Sequence, residues 1–196
     1  MKEIVVATKN QGKLKEFKVL FENLGIAVLS LQDVQDICEP EETGATFMDN
    51  ALLKARYYAA KLNKPCVADD SGIVVDALDG APGVYSARYA GVHANDQANN
   101  QLLLQNMQGV GERGCKFVCA LALVLPQGEI LATAVGECRG LLLESPVGEH
   151  GFGYDPLFYS VELKKSLAQA DMQEKNTISH RSRALKSLAE QLQGKL

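Results

Sequence analysis

The sequence lacks a hydrophobic run long enough to cross a bilayer. Its longest apolar run, from Phe117 to Pro126, is far shorter than the roughly 20 residues that a membrane-spanning helix needs. A signal peptide is missing as well, because Met1-Lys2-Glu3 leads directly into a strand-like Ile4-Val5-Val6. We therefore expect no membrane partner and no export signal.

Paired cysteine motifs are also absent. The five cysteines are scattered among apolar neighbours without CxxC spacing. An odd, dispersed set of this kind is typical of a reducing compartment rather than of a disulfide framework. This usage predicts a cytoplasmic location.

The chain has no excess of positive charge. Twenty Lys and Arg residues against 24 Asp and Glu residues give a formal net charge of -4, and the basic residues are dispersed. This distribution argues against nucleic acid as a partner, since a phosphate backbone requires a broad basic footprint. A small phosphorylated ligand needs only a few local cations.

The composition is that of a globular protein. Apolar residues make up 46% of the chain and charged residues 22%, which excludes a largely disordered protein. No internal repeat or low-complexity linker divides the sequence. We predict one folded domain over residues 1–196.

An acidic stretch interrupts two apolar runs. Ala68-Asp69-Asp70-Ser71-Gly72 separates Cys66-Val67-Ala68 from Ile73-Val74-Val75, and β-branched residues on both sides favour an extended chain. Buried carboxylates need a counter-charge, which a divalent cation supplies. Asp-Asp-Ser-Gly is equally good turn chemistry, and taken alone the stretch slightly favours a surface turn.

The N-terminal segment predicts a strand, a loop and a helix. Ile4-Val5-Val6-Ala7 is typical of a buried strand, and apolar residues recur at helical spacing from Leu14 until Gly25. The loop Thr8–Lys13 offers a hydroxyl, an amide and two lysines at the start of this helix, where backbone amides favour an anion. The motif GxxxxGK[ST] is absent, so an ordinary capped helix start is the alternative.

Periodicity predicts the remaining elements. They are a strand at Ile26–Leu29, a helix from Thr46 to Leu62, a helix at Asn95–Met107 with a structural role, a hairpin of Lys116–Leu125 and Glu129–Cys138, a third extended segment at Gly140–Leu143, and a last helix from Thr177 to Gln193.

Three further segments suggest ligand contacts. Gly148–Phe158 concentrates glycines and aromatic residues, which suits a purine base, although a core-anchoring turn is the alternative. The acidic loop at Glu39–Gly44 is either solvated or a source of oxygen ligands for a metal at Asp70. Arg181 and Arg183 lie near a helix start, where they oppose the helix dipole. The alternative explanation is that these two arginines are solvated or paired with Glu174.

The ordered set of motifs resembles the inosine triphosphate pyrophosphatase family, and within it the bacterial branch. The resemblance is carried by Thr8-x-Asn10-x-x-Lys13, Glu42-Thr43-Gly44, Asn50-Ala51 with Lys54-Ala55, Ala68-Asp69-Asp70-Ser71-Gly72, Gly80–Arg88, Phe152-Gly153-Tyr154-Asp155-Pro156 and Ser179-His180-Arg181. Lys9 departs from the glycine that these relatives commonly have, which leaves the backbone shape of the first loop open.

The resemblance implies a fold and a set of contacts. The implied fold is α/β, a mixed β-sheet with flanking helices and two lobes around a substrate cleft, in a homodimer. Substrate contacts are implied for Thr8, Lys9, Asn10, Gln11, Gly12, Lys13, Lys54, Ser71, Phe152, Gly153, Tyr154, Asp155, Lys175, His180 and Arg181. A magnesium site is implied at Asp69, Asp70 and a glutamate of the pair Glu41 and Glu42, with Asp70 as the general base.

The implied reaction is the hydrolysis of non-canonical purine nucleoside triphosphates such as ITP, dITP and XTP to the monophosphate and pyrophosphate. Magnesium and lysines would neutralise the triphosphate while Asp70 activates water. Two alternatives stay open at this point: a purine nucleotide sensor that does not hydrolyse its ligand, and a generic phosphohydrolase.

Overall fold

The computed structural model describes residues 1–34, 37–91 and 95–193. The strands are β1 (Glu3–Val6), β2 (Ala27–Ser30), β3 (Cys66–Val75), β4 (Gly114–Val124), β5 (Ile130–Leu142), β6 (Phe158–Ser160) and β7 (Lys165–Ser166). The α-helices are α1 (Gln11–Asn23), α2 (Phe47–Leu62), α3 (Asp96–Asn106), α4 (Met172–Ile178) and α5 (His180–Leu192). Short 3₁₀ turns follow β3, precede α3 and flank β6 and β7.

The strands of the described residues form one mixed sheet in the order β2-β1-β3-β4-β5-β6-β7. β1 runs parallel to both β2 and β3, whereas β6 runs antiparallel to both β5 and β7. The predicted α/β class with a mixed sheet and flanking helices is therefore confirmed.

The chain divides into two compact units. The first unit comprises Met1–Asp70, Cys119–Gly136 and Ser182–Leu196, and the second comprises Ser71–Val118 and Glu137–Arg181. Strands β3, β4 and β5 each contribute residues to both units. The predicted substrate cleft stays a prediction.

The first unit has two apolar clusters built on helix periodicity. In α1, Leu14, Phe17 and Phe21 recur at spacings of three and four and are buried, so this helix has one apolar face. In α2, the small residues Ala51 and Ala55 are fully buried in the other cluster. A capping box of Thr46 and Asp49 begins α2, and Asn63 in the left-handed region ends it.

The second unit has its own apolar cluster. Ile73 and Val75 of β3 pack in it with Phe117 of β4 and Phe158 of β6. The rings of Phe117 and Phe158 lie 4.7 Å apart between centroids, which is within the range of favourable aromatic pairs. This cluster supports the loops that precede β6.

Two sequence predictions about strands need correction. The surface turn at the acidic stretch is wrong, because β3 continues through it without interruption from Cys66 to Val75. The segment Gly140–Leu143 is not a separate strand, because β5 extends from Ile130 to Leu142. Alternate residues of β5 are buried from Ala132 to Leu142, so one face of the strand is covered over this range.

The prediction of a single last helix is also wrong. Ser179 is extended, with φ -63° and ψ 149°, and it separates α4 from α5. Asp171 and Glu174 form a capping box that begins α4 before the predicted start at Thr177. His180 therefore begins a new helix instead of continuing an old one.

No helix in the described part of the chain is long and apolar enough to span a membrane.

Candidate active site

The acidic pair Asp69 and Asp70 lies at adjacent positions of β3. Both residues are buried, with 3% and 8% of their surface exposed. Successive side chains of a strand point to opposite faces of the sheet, and the two carboxylates accordingly meet different helices. Asp69 accepts from Lys13 of α1 at 2.7 Å, and Asp70 accepts from Lys54 of α2 at 3.3 Å.

Asp70 is held by separate donors at its two oxygens. Oδ1 faces Lys54 Nζ, and Oδ2 accepts from Asn50 Nδ2 at 3.1 Å. Burial raises the pKa of the Asp70 carboxyl, the charge of Lys54 opposes this rise, and the charge of Glu42 adds to it. The carboxylate is thus more basic than an ordinary aspartate.

Lys54 brings a second carboxylate to the same place. Its Nζ donates to Glu42 Oε1 at 2.6 Å. Burial by itself lowers the pKa of this ammonium, but the charges of Asp70, Asp69 and Glu42 outweigh burial and raise the pKa. Lys54 therefore stays protonated between two carboxylates.

Asn50 connects Asp70 with the acidic loop. Its side chain is fully buried, and its Oδ1 accepts from the backbone N–H of Gly44 at 2.7 Å while its Nδ2 faces Asp70. A Cβ at Gly44 would lie 2.6 Å from this Oδ1, so the close approach requires glycine. The motifs around Glu42, Asn50 and Asp70 thus meet at one point of the first unit.

The first loop forms a tightly capped helix start. Asn10 is the N-cap of α1, and its Oδ1 accepts from the backbone N–H groups of Gly12 at 2.9 Å and Lys13 at 3.1 Å. The hydroxyl of Thr8 in turn accepts from Asn10 N–H at 3.2 Å. Lys9 is mostly exposed and lies 2.9 Å from Glu39, which is also exposed. Among the loop lysines, Lys13 is therefore the one that contacts the acidic pair.

The donor chemistry of the first unit fits a hard divalent cation. Within residues 1–34, 37–91 and 95–193, no three His, Cys, Asp or Glu side chains form a ready-made metal cage. Mg²⁺ commonly needs only one or two carboxylates, because water and substrate phosphates complete its shell. Glu42 and Asp70 are such a pair, since both approach one ammonium group. Glu41 is exposed.

The aromatic loop of the second unit is held by its own side chains. Asp155 Oδ2 accepts from the backbone N–H of Phe152 at 3.0 Å and from Lys175 Nζ at 2.5 Å. The same ammonium lies 4.8 Å from the centroid of the Phe152 ring, a cation–π distance. Half of the Phe152 surface remains exposed, so the ring is available to a planar ligand.

Tyr154 anchors this loop to the core of the second unit. The phenol is buried and donates to the carbonyl of Ser86 at 2.8 Å. Burial raises the pKa of Tyr154 above its usual range, so this phenol stays neutral and keeps its donor. The Ser86 hydroxyl donates to Gly83 O at 2.6 Å and accepts from Ile73 N–H at 3.0 Å. The loop therefore includes a core-anchoring residue beside an exposed ring.

Arg181 and His180 are buried at the start of α5. Arg181 is 3% exposed, and its Nη2 donates to Ser71 Oγ at 3.2 Å. The His180 ring stacks on Phe117, with centroids 4.9 Å apart. Glu174, the alternative partner considered for the arginines, forms an ion pair with Lys165 at 2.7 Å.

The structure therefore brings most predicted residues into two groups. One group, in the first unit, contains Lys13, Glu42, Lys54, Asp69 and Asp70. The other lies in the second unit and consists of two contact sets: Phe152–Asp155 with Lys175, and Ser71 with Arg181. The predicted residues Lys9 and Glu41 are exposed.

Sequence reasoning missed three residues that hold these groups. Asn50 appeared only as part of a motif, although a polar residue beside the apolar stripe of α2 is a signal of a buried contact. Asp96 and Asn100 of α3, which contact Gly153, had no signal beyond their spacing of four residues.

A groove of about 1240 Å³ lies in the second unit beside the aromatic loop. One side is formed by α3 with Asp96 and Asn100, and the other by segment 144–156, which includes Phe152 and Gly153. The loop is thus part of a concave surface.

The chain belongs to the Ham1 family, because the family model matches residues 4–191. It is 51% identical over 195 residues to the dITP/XTP pyrophosphatase of Bacillus anthracis, covering 98% of this chain and 96% of that one. The predicted family is thereby confirmed.

Solved structures agree with this assignment. The Ham1 protein of Staphylococcus aureus superposes with a TM-score of 0.92 at 42% identity, covering the whole of both chains. A HAM1 protein from Coxiella burnetii superposes with a TM-score of 0.90 at 40% identity, covering 99% of this chain and all of the other.

Proposed function

We propose that this chain hydrolyses non-canonical purine nucleoside triphosphates, namely ITP, dITP and XTP, to the monophosphate and pyrophosphate. The chain is an enzyme, a nucleoside triphosphate pyrophosphatase, in keeping with relatives of that name that are about half identical over nearly its full length. The observation that carries the proposal is the buried carboxylate of Asp70, oriented by Lys54 and Asn50 beside a second carboxylate, Glu42.

Glu42 and Asp70 would hold a magnesium ion in this enzyme. Of the two neighbouring glutamates we choose Glu42, because its carboxylate approaches the same ammonium as Asp70. Bound magnesium supplies neutralisation of the triphosphate charge. Asp69 stays paired with Lys13 on the other face of β3.

Asp70 is the general base in this proposal. A carboxylate with a raised pKa accepts a proton from water better than an exposed aspartate does. Asn50 donates to Oδ2 and fixes the plane of the carboxylate. The other oxygen, Oδ1, faces Lys54 and is the one that would accept the proton from water. Lys54 and Lys13 contribute positive charge for the phosphates, together with the backbone and side chains of Thr8–Lys13 at the start of α1.

The second unit contributes base recognition. Phe152 offers an exposed ring for stacking on a purine. Arg181 and His180 are candidates for the 6-oxo edge, since an unmatched buried donor discriminates against the exocyclic amine of adenine. Ser71, Gly153, Tyr154, Asp155 and Lys175 complete the proposed contacts.

The experiment that tests this function identifies the phosphate product. The purified protein is incubated with magnesium and with inosine, xanthosine, guanosine or adenosine triphosphate, beside a sample that contains EDTA. We expect pyrophosphate, released preferentially from the inosine and xanthosine substrates and only with magnesium. Orthophosphate would identify a generic phosphohydrolase, and nucleotide binding without a product would identify a sensor.

We also propose that the enzyme works as a homodimer in the cytoplasm, with neither nucleic acid nor membrane as a partner. The expected mass in light scattering is twice the 21.2 kDa of one chain, and a monomer mass would contradict the proposal. Fractionation with a cytoplasmic marker tests the location.

A further inference from the structure

Two side chains of α3 hold the backbone of one glycine in the aromatic loop. Asp96 Oδ2 accepts from Gly153 N–H at 2.6 Å, and Asn100 Nδ2 donates to Gly153 C=O at 2.9 Å. Residues four apart lie on one face of a helix, so Asp96 and Asn100 approach the loop from the same side. Both polar groups of Gly153 are thus engaged by a single helix.

Gly153 has a backbone conformation that favours glycine. A Cβ at this glycine would meet nothing within 4 Å, and its φ of 61° lies in the left-handed region. This backbone conformation is accessible to glycine at low cost. The contacts from α3 therefore restrain a residue that has more conformational freedom than its neighbours.

The residues that flank Gly153 have different anchors. Phe152 N–H is bound by Asp155, and the Tyr154 hydroxyl is bound by Ser86 O. These contacts fix the ends of the turn, whereas Asp96 and Asn100 fix the peptide groups between them. The direction of the half-exposed Phe152 ring into the groove depends on those peptide groups.

The two polar atoms of the Asn100 amide have different surroundings. Nδ2 donates to Gly153 O, whereas Oδ1 is buried and has no hydrogen-bond partner within the described residues. Asn100 therefore contacts the loop through its amide donor.

We propose that Asp96 and Asn100 are positioning residues that set the purine-binding conformation of the Phe152–Asp155 loop. The inference rests on the proposed function, since it assigns a purine to this loop. It goes beyond the sequence prediction that the helix now described as α3 has a structural role, which stays a prediction. Neither residue is assigned a contact with the reacting atoms.

The test compares single substitutions on one face of α3. Asp96→Ala removes the acceptor, Asp96→Asn keeps an acceptor oxygen, and Asn100→Ala removes the donor. Asn106→Ala is the matched control, because Asn106 lies on the same helix, is exposed and donates to Tyr89 instead of the loop. Each variant is checked for its melting temperature before it is assayed.

Three readouts are measured: kinetics with inosine triphosphate, calorimetric binding of inosine monophosphate, and hydrogen–deuterium exchange of the peptide that contains residues 152–155. In Asp96→Ala and Asn100→Ala we expect KM and the Kd of the monophosphate to rise about five- to tenfold. We expect kcat to stay within about twofold. Exchange should accelerate in this peptide alone, and Asp96→Asn and Asn106→Ala should resemble the unchanged protein.

The outcomes separate this inference from the proposed function. If the unchanged protein binds inosine monophosphate but releases no pyrophosphate, the proposed function fails, and a weaker Kd in the variants still supports the positioning role. If the unchanged protein is active and KM and Kd do not move while exchange accelerates, the positioning role is overturned. Equal losses in Asp96→Asn and Asp96→Ala, or a fall in kcat alone, also overturn it.

Discussion

The two candidate regions of this molecule are organised by different forces. In the first unit, side chains from strand β3 and helices α1 and α2 meet as ion pairs, with Lys13 on Asp69 and Lys54 between Glu42 and Asp70. In the second unit, hydrogen bonds to the backbone of the Phe152–Asp155 loop accompany one ion pair, Lys175 with Asp155. Under the proposed function, the charged groups of the first unit act on the triphosphate and the hydrogen-bonded loop of the second unit binds the base.

This difference has an energetic consequence. Removing Lys13 would take a counter-charge from buried Asp69, a loss that costs about 3–5 kcal/mol of stability in known buried ion pairs, whereas Lys54 keeps Glu42 as a counter-charge when Asp70 is replaced. Removing one hydrogen bond to the loop costs about 1 kcal/mol. Since the proposed function assigns the triphosphate to the charged groups of the first unit and the base to the loop of the second unit, we expect substitutions in the first unit mainly to lower the rate and those in the second unit mainly to change affinity and selectivity.

The largest expected effect is that of Asp70→Asn. The amide keeps the size of the side chain and Glu42 still faces Lys54, but it cannot accept a proton from water. We expect kcat for inosine triphosphate to fall by about 10²–10⁴-fold, with the melting temperature nearly unchanged. The measurement is pyrophosphate release at saturating substrate.

Asp76→Asn is the matched control for this substitution, because Asp76 directly follows β3 and is exposed. Near-native turnover in a folded Asp70→Asn protein would remove Asp70 from the mechanism.

The next effect concerns the two lysines of the first loop. Lys13→Ala removes the ammonium that contacts buried Asp69, and we expect kcat/KM to fall about 10- to 100-fold, as for a charged hydrogen bond. Lys9→Ala removes an exposed pair with Glu39, and we expect less than about a fivefold change. Steady-state kinetics measure kcat/KM for both variants. An equal loss of kcat/KM in the two variants would contradict the placement of the phosphates beside Lys13.

A smaller effect is expected on selectivity. Arg181→Lys keeps a positive charge but loses the planar fork of donors, one of which contacts Ser71. We expect the ratio of kcat/KM for inosine over adenosine triphosphate to fall about tenfold. Competition assays with both nucleotides measure this ratio.

Arg183→Lys on the same helix is the control for the selectivity experiment, because Arg183 is exposed. An unchanged ratio in folded Arg181→Lys would count against a role of Arg181 at the base.

The smallest expected effect concerns the surface ion pair of Lys165 and Glu174. Hydrogen bonds from Lys165 and from the backbone of Asp171 lower the pKa of Glu174 below its usual 4.5. A lowered pKa in the folded state stabilises the protein above pH 4.5, and this contribution is lost as pH falls through the folded value. Glu174→Gln should therefore lower the melting temperature slightly at pH 7, and the difference should shrink below pH 4.5.

Glu190→Gln, at an exposed position of α5, is the control for the melting series from pH 7 to pH 3. A difference that grows towards low pH would contradict the assigned cause of the Glu174 shift.

Much of the first unit could be predicted from sequence because its signals are local. Apolar spacing located α1 and α2, and the motif around Asp70 identified the central carboxylate. The turn alternative failed because Asp69 and Asp70 each find a lysine from another element, and turn propensity contains no information on such partners. Burial of Asp69 and Asp70 depends on the packing of other elements against β3, which the local sequence does not show.

The second unit was harder to predict because its decisive contacts join distant segments. Asp96 and Asn100 meet Gly153 across more than 50 positions of the chain, and no periodicity indicates that meeting. The break at Ser179 was missed because apolar spacing continues across it, whereas the capping box at Asp171 and Glu174 was the local signal for an earlier helix start.

Because β3 is continuous through the acidic pair, insertions and deletions within this strand are expected to be rare. Deleting or inserting one residue between Cys66 and Asp69 would shift every later residue by one position, so that Asp69 and Asp70 exchange faces of the sheet. Each carboxylate would then be turned away from the lysine it meets. Homologues are therefore expected to align through this strand without gaps, even where substitutions are frequent, and length variation should be found in the exposed connections instead.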